Sequence, residues 1–392
     1  MESFLSQRAQ SIKPSITLTI SAKAKAMRTA GIDVLNFSAG EPDFDTPDAI
    51  KQAAIESIQA GFTKYTPAGG IPELKAAIIA KYRAEQNLDY TPSQVIVSNG
   101  GKHALHTVLQ ALIDPGDEVL IPSPYWLSYP DMVKLSGGVP VFLKTHMADS
   151  FKISMESLSA AITPRTKLLI LNSPSNPTGA VYSAPELSAL AKVVDATGIM
   201  VVSDDVYEKF VFDGGTFVNL LGVAPHLSDK IIVINSASKT YSMPGWRIGF
   251  AIGPEKVIAA ATKIQGQATS CAGAISQKAL AFALGNADHD IERFRRSFEM
   301  RRDLMFTGLT QITGFKPFKP AGAFYLFVDV SHFFKRFDGV TDSVSFCDYL
   351  LENQRIACIP GQAFGENNSI RFSFVADEAT IVEGLSRLSR LS

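Results

Sequence analysis

The sequence predicts an α/β fold, in which helices flank a mainly parallel sheet and a smaller α+β domain packs beside it. Five short apolar segments alternate with helix-length segments through the middle of the chain. Each apolar segment is bounded by Gly, Pro, Ser or Asn, which is typical of buried strands. Strands that alternate with helices are covered on both faces, and this favours a parallel sheet. The predicted strands span residues 94–98, 118–122, 167–172, 199–204 and 231–236.

The smaller domain is predicted from the two ends of the chain. A charged helix over residues 291–310 leads into strand-like segments at 322–330 and 370–375. No long linker separates this region from the rest of the sequence. We therefore expect a large domain over residues 46–290, and a small domain formed by residues 1–45 together with 291–392.

The composition narrows the classes of function. The 392 residues are 46% hydrophobic and 19% charged, with a formal net charge of −1. This composition is typical of a globular protein. It lacks the excess of basic residues with which proteins bind nucleic acids or anionic membranes. No apolar run approaches the roughly 18 residues of a membrane span, and residues 1–8 lack the apolar core of a signal peptide. Because Cys271, Cys347 and Cys358 are few and scattered, we expect a cytoplasmic protein without a disulfide framework or a metal site.

A lysine follows the predicted strand 231–236, in the sequence Ser236-Ala-Ser-Lys239. Ligands bind beyond the carboxyl ends of strands in such sheets, and a partly buried lysine suits nucleophilic and base chemistry. Ser236 and Arg247 would supply a hydroxyl and a guanidinium for a phosphate. The alternative is an exposed loop lysine beside a surface arginine. Penicillin-binding enzymes also use Ser-x-x-Lys, but their Ser-Asp-Asn and Lys-Thr-Gly elements are missing from this sequence.

Two carboxylates and a tyrosine lie at the end of the predicted strand 199–204 and just after it. Asp204 or Asp205 can pair with a protonated pyridine nitrogen, which keeps such a ring able to accept electrons. Tyr207 lies three residues after Asp204 and can reach a phenolic oxygen of the same ring. An aspartate at this position is also common as a helix cap, so that one carboxylate can cap while the other pairs.

Two loops that follow other predicted strands point to the same cavity. In Asn172-Ser-Pro-Ser-Asn176-Pro-Thr-Gly, the prolines and the glycine fix a turning backbone that would aim the Asn176 amide inward, although a turn without any role has the same pattern. Gly101 and Lys102 lie between a strand and a helix, where free N–H groups can bind a phosphate. His103 and His106 have no carboxylate or cysteine at ligand spacing, so we expect no metal there.

An aromatic pair and an arginine complete the pattern. Tyr125 or Trp126 can stack on a pyridine ring, and the alternative is an aromatic pair in the core. Arg371 lies in an otherwise apolar strand, where its charge must be paired. A substrate carboxylate would pair with its planar guanidinium, and the alternative is an internal Arg–Asp pair.

Taken together, these motifs resemble in order and spacing the class I aminotransferases of fold type I, which use pyridoxal phosphate, and the resemblance covers nearly the whole chain. It implies that Lys239 holds the cofactor as a Schiff base and carries the proton. It also implies that Asp204, rather than Asp205, pairs with the pyridinium. The other implied cofactor contacts are Asn176 and Tyr207 on the ring oxygen, Gly101, Lys102, Ser236 and Arg247 around the phosphate, and Trp126 (or Tyr125) on the ring face.

The resemblance implies substrate contacts and a partner as well. Residues 38–44, Ser-Ala-Gly-Glu-Pro-Asp-Phe, resemble a mobile segment that covers the substrate, and we call them the cover segment. Gly40 in this segment would lie near the α-carboxylate that Arg371 binds, while Asn176 and Trp126 would also contact the substrate. Tyr65 resembles a tyrosine that reaches the phosphate of the neighbouring subunit, which implies a homodimer with shared active sites.

Within this family the chain is most similar to the bacterial aspartate and prephenate aminotransferases. The match lies in the tract Ser11-Ile-Lys-Pro-Ser-Ile-Thr17 and in the Gly-Gly-Lys102 turn. It implies that Lys102 binds the distal carboxylate of a dicarboxylic substrate, and that Lys13 and Thr17 favour prephenate. The implied reaction transfers the amino group of aspartate to 2-oxoglutarate by a ping-pong mechanism. A broad alanine or aromatic aminotransferase, a C–S β-lyase on the same fold and a non-catalytic regulator remain alternatives.

Overall fold

A computed structural model describes residues 4–12 and 16–391. The strands are β1 (Leu35–Asn36), β2 (Val95–Ser98), β3 (Glu118–Ser123), β4 (Val139–Lys144), β5 (Thr166–Asn172), β6 (Met200–Asp204), β7 (Ile231–Ser236), β8 (Gly249–Ile252), β9 (Lys316–Pro317), β10 (Tyr325–Asp329), β11 (Ile356–Ala357), β12 (Ile359–Pro360) and β13 (Ser369–Ser373).

The α-helices are α1 (Gln7–Ser11), α2 (Ile16–Thr29), α3 (Asp48–Gln59), α4 (Pro72–Gln86), α5 (Gly101–Leu112), α6 (Ser128–Leu135), α7 (Met155–Ala161), α8 (Ala184–Thr197), α9 (Leu220–Val223), α10 (Ala237–Thr240), α11 (Glu255–Ala268), α12 (Ala274–Ala283), α13 (Asp288–Thr310), α14 (Ser343–Tyr349) and α15 (Glu378–Ser389). Short 3₁₀ turns lie at Pro92–Gln94, Met147–Asp149, Pro225–Leu227, Ser331–Phe333 and Gly361–Phe364, and a π turn lies at Leu350–Gln354.

The central sheet has the strand order β2-β8-β7-β6-β5-β3-β4. Only β8 runs antiparallel to its neighbours β2 and β7, so the predicted α/β fold with a mainly parallel sheet is confirmed. All five strands expected from the sequence are present. Two strands of this sheet were not expected. The edge strand β4 contains Pro140 and leaves Val139 and Phe142 about half exposed, and β8 has only four residues and begins with Gly249.

Helices cover both faces of this sheet. Along β7, Ile231 and Val233 pack with α4, α8 and α12 on one face. Ile232 and Ile234 pack with α5, α6 and α11 on the other. Side chains of a strand point alternately to its two faces, so a strand with apolar residues at every position is buried on both. This burial fixes the strand ends, and therefore the loops that follow them.

A second sheet, with the order β12-β13-β10-β9, is antiparallel and packs with α13, α14 and α15 around a core rich in phenylalanine. The predicted helix 291–310 is observed as α13, which begins three residues earlier, at Asp288. Tyr207, Phe210 and Phe212 from the chain after β6 also belong to this core. The predicted domain boundaries, at residue 46 and between residues 290 and 291, stay a prediction.

Two further expectations concern the cysteines and the membrane. Cys347 and Cys358 are buried, with their sulfur atoms 3.4 Å apart, whereas Cys271 is half-buried. None of the helices within residues 4–12 and 16–391 is both long and apolar enough to cross a membrane.

Gly249 provides a test of the packing between the sheet and the loop before α5. A methyl group added at Gly249 would collide with the backbone nitrogen of Gly101 and lie 2.7 Å from the carbonyl carbon of Gly100. Because these are backbone atoms and not the end of a flexible side chain, they cannot easily move aside. We therefore expect Gly249→Ala to lower the free energy of unfolding by about 1–3 kcal/mol. Gly245→Ala is the matched control, since that site has open space around it. Equal denaturation midpoints for the two variants in urea would contradict this packing.

Candidate active site

The carboxyl ends of β5, β6 and β7 open into a cavity of about 530 Å³. Most of the site residues predicted from the sequence line it: Gly40, Gly101, Lys102, Trp126, Asn176, Asp204, Tyr207, Ser236, Lys239, Arg247 and Arg371. Tyr65 does not line this cavity. Lys13 lies outside the described residues, and so does the side chain of Thr17, whose backbone belongs to α2.

Lys239 lies in the short helix α10, directly after β7. Ser236 caps this helix by accepting a hydrogen bond from the Ser238 N–H at 3.3 Å, and this turn directs Lys239 into the cavity. The Lys239 Nζ donates a hydrogen bond to the Gly40 carbonyl. Burial lowers the pKa of Lys239 to about 8, although the negative charge of Glu41 acts to raise it. An amine with this pKa can both accept and release a proton near neutral pH.

Asp204 ends β6 with its carboxylate in the cavity. The Tyr129 hydroxyl donates to Asp204 Oδ2 at 2.6 Å, and the Val206 N–H donates to Oδ1 at 3.4 Å. Burial nevertheless raises the pKa of Asp204 to about 6, because these hydrogen bonds and the charge of Lys239 offset only part of the lost hydration. A cationic ring nitrogen beside this carboxylate would keep it ionised.

Asp205 is directed elsewhere. It does not line the cavity, and it accepts a hydrogen bond from Ser203 Oγ at 2.6 Å. Its Oδ2 is buried with no hydrogen-bond partner among the described residues, and burial raises the pKa of Asp205 well above its ordinary range. Residues 206–209 form a turn, so neither aspartate caps an α-helix. Of the two carboxylates, only Asp204 faces the cavity.

Arg371 lies on β13 and is only 3% exposed. Its Nη1 donates to Asn176 Oδ1 at 2.9 Å and its Nη2 to the Ser38 carbonyl at 3.1 Å, while the guanidinium lies 4.2 Å from the centre of the Tyr325 ring. Within the described part of the chain no carboxylate forms an ion pair with Arg371, and its Nε has no hydrogen-bond partner. A buried guanidinium with neutral partners and a free N–H is suited to an incoming carboxylate.

Two tyrosines close the wall between Asp204 and Arg371. The hydroxyls of Tyr207 and Tyr325 are 2.9 Å apart and share a hydrogen bond. Burial raises the pKa of both, so both stay protonated and can donate at neutral pH. Asn176 is held beside them because its N–H donates to Asn172 Oδ1 at 2.9 Å.

The helix α5 and Arg247 form a cationic cradle at one end of the cavity. Gly100 precedes α5 with φ +91°, and a Cβ there would lie 2.5 Å from Arg247 Nη2, so only glycine permits this approach. Arg247 Nη1 donates to the Pro244 carbonyl at 2.8 Å, which fixes the guanidinium. The first N–H groups of α5 lack intrahelical acceptors, and together with the Ser236 hydroxyl they can bind an anion.

The structure separates the two aromatic candidates. Trp126 lines the cavity and packs edge-on against Tyr129, with 5.2 Å between the ring centres. Lys102 Nζ lies 4.8 Å from the centre of the Trp126 ring. Burial and the nearby Arg247 lower the pKa of Lys102. Tyr125 lies outside this cavity and stacks on Phe142.

Several residues of the cavity were not singled out from the sequence. Tyr129 could have been predicted, because it lies three residues after Trp126 and ends the same aromatic motif. Tyr325 lies in an apolar strand and gives no local signal. The others are Ser38, Glu41, Leu127, Asn172, Val206, Ser238 and Pro244.

Residues 32–388 match the family model described as aminotransferase class I and II, and the chain belongs to this family. It is 45% identical over 386 residues to an aspartate aminotransferase of Geobacillus stearothermophilus, which covers 98% of both chains. It is 43% identical to an aspartate/prephenate aminotransferase of Nitrosomonas europaea, over 99% of both. Among solved structures, the aspartate aminotransferase of Thermus thermophilus with maleate superposes with a TM-score of 0.94 at 41% identity, over 100% of both chains. The enzyme of Rhizobium meliloti has a TM-score of 0.95 at 41% identity, over 99% of this chain and 98% of its own.

The raised pKa of Asp204 predicts how stability depends on pH in the cofactor-free protein. Because the pKa rises from 3.8 to about 6 on folding, the folded state binds this proton more tightly than the unfolded state. The free energy of unfolding should therefore fall by about 3 kcal/mol as the pH rises from 4 through 6. Asp204→Asn should remove this part of the pH dependence. Urea unfolding at several pH values measures the free energy of unfolding, and Asp195→Asn on the surface of α8 is the control. If the free energy changes equally with pH in wild type and in Asp204→Asn, the pKa of Asp204 is not raised by folding.

Proposed function

We propose that this family member is a pyridoxal-phosphate-dependent aspartate aminotransferase, which transfers the amino group of L-aspartate to 2-oxoglutarate in two half-reactions. One observation carries the proposal. A lysine with a pKa near 8, a buried carboxylate and a buried arginine without an anionic partner among the described residues line one cavity. The relatives named aspartate aminotransferase, which match the whole length of the chain, support it.

The residues present fit pyridoxal phosphate. The cationic cradle of Arg247, Ser236 and the N-terminus of α5 suits its phosphate, and the close approach of Arg247 to Gly100 leaves no room for a Cβ there. Asp204 would hold the pyridinium nitrogen, and Trp126 would pack on the ring. Asn176 and Tyr207 would bind the ring oxygen. When bound, pyridoxal phosphate supplies the electron sink that stabilises the negative charge left at a substrate Cα after its proton is removed.

Lys239 would hold the cofactor through Nζ and, once released by an amino acid, would move the proton at Cα. Its pKa near 8 allows the neutral amine to form at physiological pH, which a lysine with an ordinary pKa does rarely. The Gly40 carbonyl orients this amine from the cover segment. Asp204 would keep its partner nitrogen protonated throughout, since a cation at that position lowers the pKa of a buried carboxylate.

Arg371 and Lys102 would bind the two carboxylates of the substrate. Arg371 offers a planar guanidinium held by Asn176 and Ser38, and this geometry suits an α-carboxylate. Lys102, whose Nζ lies 4.8 Å from the centre of the Trp126 ring, would bind the distal carboxylate. The Thermus structure is described with maleate, which is a four-carbon dicarboxylate like the carbon skeleton of aspartate.

We further propose a cytoplasmic homodimer. Tyr65 is 90% exposed, and in the dimer it would reach the phosphate site of the partner subunit. Ile55 and Ile58 on α3 and Phe282 on α12, which packs against α3, are also exposed apolar residues, and a partner subunit would cover them. Prephenate as a second amino acceptor is supported by relatives named aspartate/prephenate aminotransferase.

A half-reaction tests the proposed function. The purified holoenzyme is mixed separately with aspartate, glutamate, alanine and phenylalanine, and the absorbance of the bound cofactor is followed. Because Arg371 and Lys102 offer two cations, aspartate and glutamate should change the absorbance much faster than the neutral amino acids. Selective response to alanine or phenylalanine would keep the family and overturn the substrate. Release of pyruvate and ammonia from an added amino acid with a C–S bond at Cβ would indicate a β-lyase. No change with any amino acid after pyridoxal phosphate is added would overturn the proposal.

Lys102→Ala tests the distal carboxylate site. Loss of one charge-assisted hydrogen bond should raise the KM for aspartate about 10- to 100-fold, while the KM for alanine changes by less than about threefold. Steady-state kinetics with both amino acids measure this difference. Lys263→Ala on the exposed face of α11 is the control and should change neither value. Equal losses for aspartate and alanine would show that Lys102 serves the phosphate site alone.

A further inference from the structure

The cover segment is attached at several points along its length. The Ser38 carbonyl accepts a hydrogen bond from Arg371 at 3.1 Å, and the Gly40 carbonyl accepts one from Lys239. At the far end, the Phe44 carbonyl accepts one from Ser242 Oγ. These three attachments use the backbone of the cover segment. They leave open what fixes its side chains between Gly40 and Phe44.

Arg301 on α13 fixes the side chain of Asp43 in the cover segment. Its Nη1 lies 2.9 Å from both Oδ1 and Oδ2 of Asp43, and it also donates to the Val375 carbonyl at 2.6 Å. The Arg301 side chain is 8% exposed and the Asp43 side chain 33%. The Arg301 end of this ion pair is removed from water, so the pair is screened less than one in which both partners are exposed.

Phe44 strengthens the same attachment. Its ring stacks on Phe294 of α13 with 4.4 Å between the ring centres, and it packs against Phe298 at 5.3 Å. The Arg301 guanidinium lies 5.1 Å from the centre of the Phe44 ring. Arg301 therefore contacts two of the last residues of the cover segment, one through charge and one through the ring face.

The Val375 contact joins the cover segment to the strand that carries Arg371. Val375 lies four residues after Arg371, just beyond the end of β13. In the same region the Ser373 N–H donates to the Phe37 carbonyl at 2.8 Å. The cover segment, α13 and the end of β13 are thus connected into one unit, and Arg301 is the side chain that contacts all three.

We propose that Arg301, which lies outside the active-site cavity, is a positioning residue that holds Gly40 over the bound amino acid through its pair with Asp43. The inference rests on the proposed function, since it takes Gly40 to cover an amino acid bound to Arg371. When the pair is broken, the cover segment stays attached at Ser38 and Phe44 but is free to shift between them. Asp204 makes no hydrogen bond to the cover segment in the described structure, and Lys239 contacts it only through the Gly40 carbonyl. We therefore expect substrate affinity to fall more than the rate of the chemical step.

The test compares substitutions of two nearby aspartates, Asp43 and Asp45. Asp43→Asn removes the charge of the pair with Arg301 and one of its two acceptor oxygens. Asp45→Asn removes the charge of an exposed pair with Lys51 at 2.7 Å. In the holoenzyme, Asp43→Asn should raise the KM for aspartate about tenfold and leave kcat within about threefold of wild type. Asp45→Asn should leave both constants within about twofold. A purely structural defect would instead lower the active fraction, and with it kcat, at an unchanged KM.

Arg301 variants test the other partner. Arg301→Lys keeps the charge but cannot reach Asp43 and Val375 with one planar group, so its KM should lie between those of wild type and Arg301→Gln. Identical KM values for Asp43→Asn and Asp45→Asn, or a loss confined to kcat, would overturn the proposal even if the Arg301 variants fail to fold. Failure of the proposed function looks different, because the wild type itself would not respond to aspartate. If the wild type uses another amino acid, the same comparison is made with that substrate.

Discussion

The active site depends on buried cationic groups that lack anionic partners within the described chain. Arg371 is held by an amide and a carbonyl, and Lys239 by a carbonyl. Placing a cation where water is excluded is unfavourable unless an anion joins it, and the pKa of Lys239 near 8 reflects that penalty. The cavity is therefore most stable when anionic groups occupy it. A phosphate near Arg247 and a carboxylate near Arg371 meet this requirement at two separate points.

Asp204 carries a negative charge, and its burial is unfavourable for the same reason. Its pKa of about 6 shows that Tyr129 and Val206 do not fully replace the hydration that burial removes. Asp205 is buried as deeply, but its pKa is raised further and it faces away from the cavity. The two neighbouring aspartates differ because successive residues at a strand end point to opposite sides of the sheet. Backbone geometry alone therefore selects which carboxylate meets a ligand.

The sequence predicts the central sheet well because its strands are buried on both faces. Such strands are continuous apolar runs with sharp polar ends, and the residues after those ends, Lys239, Asp204 and Asn176, line the cavity together. The edge strand β4 is missed because it is half exposed and contains Pro140. The strand β8 is missed although it is buried, because it has only four residues and begins with Gly249. Tyr325 is missed for a different reason. Its position in an apolar strand is normal for a core residue, and only the pairing of β10 with β13 brings it beside Arg371.

Arg301 and Arg302 show most clearly what sequence patterns leave out. Both lie in a helix whose sequence is rich in charge, where arginines normally pair along the surface, as Arg296 does with Glu292. Arg302 is instead fully buried and binds both oxygens of Asp213 at 2.7 and 2.8 Å, in the chain that follows β6. Successive helical residues point about 100° apart, so Arg301 reaches the cover segment while Arg302 reaches Asp213. One helix thus contacts both the cover segment and the part of the chain that carries Asp204 and Tyr207, and neither contact follows from local sequence.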